Sequence, residues 1–204
     1  MLGRLRKEKA VLVDPVLTRI NLREIAILES GNSSATSYEW LASTDAYLAR
    51  LSPSAPFKDV RELIAQVGIE RLKGRFREAL TLPAPEQSDY YLSRRRTQTM
   101  LRNAIIELIR HHQLDVVALP YTLAGPSRIG QQGGFETNSL ASHAGLPSIV
   151  VPAGYTQESL PIGLQFMAEP YRDTTLLQLA HVIQQISGLM KLPAATPALS
   201  GEQL

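Results

Sequence analysis

The chain contains no cysteine. That excludes a disulfide framework, a thiolate zinc ribbon, an iron–sulfur cluster and a cysteine nucleophile. Aromatic residues are scarce at 6%, and tryptophan occurs once. No apolar run approaches the roughly 18 residues of a membrane span. The basic start, MLGRLRKEKA, is not followed by the apolar stretch and cleavage site of a signal peptide. The expectation is a cytoplasmic protein without membrane contact. An excess of one charge is also missing: 21 Lys and Arg against 19 Asp and Glu leave a net charge of +2, too little to argue for a nucleic-acid partner. Glycine and proline, 13 of each, are not enriched enough for a collagenous or low-complexity chain. What is there, 204 residues of which 44% are apolar, can bury a core and amounts to little more than one typical domain.

Periodicity and punctuation predict the elements. A helix is expected over Leu22–Glu29, capped by Asn21 and stopped by Gly31. Another is expected over Tyr38–Leu51, where Leu41, Tyr47, Leu48 and Leu51 share helical spacing, and a third over Val60–Val67 with Asp59 as cap. After Pro83-Ala84-Pro85 a long helix runs from Glu86 to His112, with Tyr91, Leu92, Met100, Leu101, Ile105, Leu108 and Ile109 recurring at three to four residues. Beyond it, Asp115–Leu119, Ser148–Val151 and Pro161–Ala168 read as buried strands. Pro120 and Pro152 are expected to end the first two, because proline cannot donate to a ladder. Tyr121–Gly134 is a loop rich in Gly and Gln, and Phe135–Ala144 is a helix stopped by Gly145 and Pro147. Asp173 caps a last helix with Leu176, Leu177, Ala180, Ile183 and Ile186 on one face. Strands separated by helices predict an α/β fold, with layered helices on a mixed, partly parallel sheet. A single domain is expected over residues 1–190, with a flexible tail over 191–204.

The residues by themselves form no complete catalytic constellation. Gly125-Pro126-Ser127 starts like a nucleophile elbow but lacks its second glycine, and no S-x-x-K occurs. Histidines at 111, 112, 143 and 181 have no metal-ligand spacing, and the adjacent pair diverges by about 100° on a helix. No metal and no cofactor is expected. Gly130–Gly134 before a helix could turn N–H groups toward an anion, but it lacks the Lys and Ser/Thr of a phosphate loop. Arg94, Arg95, Arg96, Arg102 and Arg110 read as a solvated or ion-paired helix face, with Glu78, Glu86 and Asp89 as partners.

Four ordered motifs carry a likeness. Asp115-Val-Val-Ala-Leu-Pro120 is a D-x-x-x-x-P strand. Gly145-Leu-Pro-Ser-Ile-Val-Val-Pro-Ala-Gly154 is a G-x-P-x-x-x-x-P-x-G segment. Leu160-Pro-Ile-Gly-Leu-Gln165 is an L-P-x-G-x-Q run, and Asp173, Leu176 and Leu177 fit a closing D-x-x-L-L helix. In this order they resemble the C-terminal part of the amidase signature family. The Tyr90-Tyr91-Leu92 helix and the Lys58–Gln66 segment fit the same pattern.

The resemblance implies a hydrolase of amide C–N bonds that uses a Ser nucleophile, a second Ser in a cis peptide and a Lys. In the family these lie upstream of the matched segment, and none has a counterpart here, so no catalytic residue is assigned. Ser33 and Ser34, in Gly31-Asn-Ser-Ser-Ala-Thr-Ser37, superficially resemble the Ser-rich signature but lack its flanking glycines and the distant upstream Lys. Ser142 stands where many members carry Asn. Tyr121 and Thr122 after Pro120, and Gln131 and Gln132 in the Gly-rich loop, are the substrate-pocket candidates, because loops beyond strand ends hold ligands in α/β sheets. The length then reads as a fraction of one larger fold, inactive alone, that acts on a small amide when an N-terminal catalytic part complements it. The rival reading is a non-catalytic remnant or interaction module that forms a homo-oligomer through exposed strand edges.

Overall fold

The computed structural model describes residues 2–13, 16, 35–122, 125, 139–157 and 159–187. The expected helix over Leu22–Glu29, the Ser33–Ser34 doublet, the loop Gly130–Gly134 with Gln131 and Gln132, and the tail over 191–204 lie outside the described residues. Seven α-helices are described: α1 (Leu2–Lys7), α2 (Ala35–Leu48), α3 (Val60–Val67), α4 (Gly74–Ala79), α5 (Asp89–His111), α6 (Ser139–Ala144) and α7 (Asp173–Ser187). The strands are β1 (Val117–Pro120), β2 (Ser148–Tyr155) and β3 (Pro161–Met167). The chain divides into two compact units, residues 19–105 and the remainder.

In the unit of residues 19–105, local chemistry fixes the helix ends. The Asp59 side chain accepts the Glu62 N–H at 2.8 Å and so caps α3. Gly68 ends α3 at φ 86°, a left-handed conformation that glycine adopts at little cost, and its N–H donates to the Ile64 carbonyl at 2.9 Å. Asp45 of α2 accepts the Val60 N–H at 2.7 Å, joining α2 to the start of α3. Trp40 of α2 packs on Phe76 of α4 with ring centroids 4.8 Å apart. The long helix begins at Asp89 rather than Glu86: Pro85–Gln87 forms a 3₁₀ turn, and the buried Ser88 hydroxyl accepts the Tyr91 N–H at 3.2 Å.

The second unit is built on a three-stranded sheet in the order β1-β3-β2. Both ladders are antiparallel, so the expected partly parallel pairing is not found among the described residues. The crossover through α6 does bring β2 back in the direction of β1. However, β3 folds back from β2, the Thr156 N–H donating to the Leu160 carbonyl at 2.8 Å and Ser159 standing at φ 63°, and takes the place between them. Nor does Pro152 end β2, which continues to Tyr155. Proline is tolerated because β2 is an edge strand among the described residues and its register shifts between Pro152 and Gly154.

One face of the sheet carries the core. Leu5 of α1, Val151 of β2, Phe166 and Ala168 of the β3 segment, and Leu176 and Ile183 of α7 are buried together, with Ile149, Leu164 and Ile186 packed around them. Leu177, expected in the same stripe, is 63% exposed, because it lies about 100° round the helix from Leu176. The Arg4 guanidinium donates to the Ile186 carbonyl at 3.1 Å and closes the C-terminal end of α7. Among the described residues no helix is long and apolar enough to cross a membrane, and no cluster of His, Asp and Glu could hold a metal ion.

Candidate functional site

The other face of the sheet follows from register alone. Side chains alternate between faces along a strand, and Leu119, Gln165 and Val150 stand abreast across the three strands. Val117, Met167 and Ser148 form the next row. On the opposite side of the Gln165 row lies Gly163, paired with Pro152 of β2 and accepting the Tyr121 N–H at 3.0 Å. Gln165 is thus the centre of a small grid whose other members are mostly apolar.

Gln165 is only 2% exposed. Its Nε2 donates to the Ser148 hydroxyl at 3.4 Å, while Oε1 is buried without a partner among the described residues. Turning the amide over exchanges the two atoms and leaves the other one alone. An amide atom buried in this way forgoes water without gaining a protein partner, and such groups are rare in folded chains.

Gly163 shapes the neighbouring position. A Cβ there would lie 2.9 Å from Val150 Cγ1 and 3.3 Å from Tyr121 Cβ, so only glycine lets both side chains approach the middle of the sheet. Tyr121 is half-buried against this gap, and Thr122 follows it on the exposed side. Of the four pocket candidates, the structure therefore brings Tyr121 to the grid and puts Thr122 beside it, while Gln131 and Gln132 lie outside the described residues.

Gln165 was legible only as part of a motif. The further signal was a polar residue at the middle of an otherwise apolar strand, between Leu164 and Phe166. The grid holds an amide, a serine hydroxyl and the backbone of Tyr121, and it carries no carboxylate, imidazole or amine. It offers Ser148 no general base that would make it a nucleophile.

A family model described as Amidase matches residues 17–177. One subunit of the glutamyl-tRNA(Gln) amidotransferase from Nitrobacter hamburgensis is 32% identical over 108 residues, which is 48% of this chain and 22% of the relative. A solved peptide amidase in complex with the competitive inhibitor chymostatin is 28% identical, with a TM-score of 0.66 over 90% of this chain and 38% of that one. The native peptide amidase from Stenotrophomonas maltophilia is 25% identical, with a TM-score of 0.66 and the same coverage of 90% and 38%. The chain therefore spans 22% of the length of the amidotransferase relative and 38% of each peptide amidase.

Proposed function

The chain belongs to the amidase family, and on that premise we propose that it supplies the framework and part of the substrate pocket of an enzyme that hydrolyses amide C–N bonds. The observation that carries this reading is the match of the Amidase family model to residues 17–177, within which Tyr121 stands half-buried beside Gly163 at the sheet. Tyr121 and Thr122 line the pocket in this reading, with Gln131 and Gln132 contributed by the loop that follows them. The peptide amidases among its structural relatives make an amidated peptide the first substrate to test.

The nucleophilic serine, its partner serine and the lysine come from outside these 204 residues. Strands added beside β1 or β2 would give the larger sheet its mixed, partly parallel character. Residues 1–190 act as one part of that fold, and 191–204 as a tail. The enzyme works in the cytoplasm, without a cofactor, on a small amide rather than on nucleic acid or membrane. A second reading, a homo-oligomerising remnant, is favoured by one observation: β2 is an edge strand among the described residues, with Val150 43% exposed on it.

The direct test is ammonia release from a C-terminally amidated dipeptide. The chain alone is expected to release none. Turnover that disappears in Ser33→Ala or Ser34→Ala would overturn the assignment, because the nucleophile would then lie within this chain.

A further inference from the structure

Residues 10–13, Ala-Val-Leu-Val, have the pattern of a strand and no sheet to join. α1 ends in a turn in which Lys9 stands at φ 65°, its N–H donating to the Arg6 carbonyl at 3.1 Å and that of Ala10 to the Leu5 carbonyl at 3.0 Å. Leu5 is buried in the core and Arg4 holds the end of α7, so the run leaves from a fixed base. Val11 is 90% exposed, Leu12 is half-buried and Val13 is exposed, which is the period of two of a strand. Branched side chains favour a pleated, half-buried surface. Among the described residues, however, the backbone of Val11, Leu12 and Val13 makes no hydrogen bond.

β2 presents an edge with no strand on it. Alternate residues of an edge strand turn N–H and C=O away from the sheet. Over residues 148–151 the register is uniform, and among the described residues the backbone there hydrogen-bonds to β3 alone. Val150 is exposed on that edge. β1, on the other side of the sheet, is less suited, because Pro120 removes one of its four N–H groups. The run and the edge are both four residues long, and within one copy they are not paired.

We propose that residues 10–13 of one copy add as a fourth strand to the β2 edge of a second copy. The backbone selects this occupant: N–H and C=O groups at a strand's spacing are satisfied in register by another strand. With Leu12 on the face that carries the core, Val11 and Val13 lie on the face of Val150, and three exposed valines cover one another. Each copy carries one run and one edge, so two copies satisfy each other reciprocally. This contact presupposes the homo-oligomer reading and gives it its two surfaces.

Sedimentation of the full chain is expected to show a mass above 22.5 kDa, the association half-complete at roughly 10–100 μM, as for a contact at the small end of interface sizes. Val11→Lys alters an exposed side chain, so the thermal midpoint is expected to stay while association weakens about tenfold. Val11→Thr, which keeps the branched shape, is expected to retain most of it. The chain has no cysteine, so an equimolar mixture of Val11→Cys and Val150→Cys can be treated with a flexible bis-maleimide. Tryptic peptides joining position 11 to position 150 are expected; predominant 11–11 or 150–150 links would overturn the proposal. An oligomer that Val150→Lys disperses and Val11→Lys leaves intact would also overturn it, while the homo-oligomer reading would stand. A chain that keeps its monomer mass at every concentration would remove both.

Discussion

Gln165 shows how much stability can turn on one buried atom. Its Oε1 is buried without a donor among the described residues, a condition that costs about 1–3 kcal/mol of desolvation. Gln165→Leu keeps the size and removes that cost along with a long, weak bond to Ser148. The thermal midpoint of the chain is therefore expected to stay the same or rise, whereas Gln165→Glu, which buries a charge, is expected to lower it. A drop of several degrees in the leucine variant, followed by circular dichroism, would mean that the amide is already satisfied. None of this was readable from the sequence. The motif singles out the residue, but its isolation is created by Leu119, Val150 and Met167, which register alone brings around it. A second side chain, Tyr91, makes a pH prediction. Its hydrogen bond to Glu39, with burial and the nearby carboxylate charge, raises the phenol above its ordinary 10.0. The folded state thus favours the neutral phenol, and this contribution is present below the unfolded value and lost as pH climbs past the raised one. Above pH 10.0 the unfolding midpoint of the wild type is expected to fall more steeply than that of Tyr91→Phe.

Elements whose ends are decided locally were legible, and those decided by neighbours were not. α3 has its expected bounds because Asp59 and Gly68, adjacent to it in sequence, set both ends. Asp59→Ala is accordingly expected to cost about 1 kcal/mol, visible as a lower urea midpoint, and Asp59→Asn to restore most of it. An alanine variant with an unchanged midpoint would show that the Asp45 bond to Val60 holds the helix start unaided. β2 is the opposite case. Proline normally marks the end of a strand, yet whether Pro152 must donate depends on what lies beside it, and that is settled by where β3 pairs. α5 lost its first predicted turn for a related reason, since a buried Ser88 hydroxyl caps the helix later than the proline turn suggests.

At the scale of the whole molecule, alternation of strands and helices was enough to foresee an α/β fold but not the sense of its pairing. A crossover does return β2 parallel to β1, and only the short hairpin to β3 turns both neighbours antiparallel. That leaves β2 as an edge strand among the described residues, broken by Pro152 and a register shift but uniform over Ser148–Val151. Edge strands of this kind pair with other chains unless something covers or charges them. The exposed Val150 on β2 offers apolar surface and no charge on the face that carries Gln165. The isolated chain is therefore expected to sediment above its monomer mass of 22.5 kDa as concentration rises. Val150→Lys, which places a charge on the edge strand, is expected to shift it back toward monomer. The two functional readings part here. An oligomer dispersed by that single charge would support the interaction-module reading. A chain that stays at 22.5 kDa at every concentration would remove that reading, leaving the pocket-bearing part of an amidase as the account of this fold.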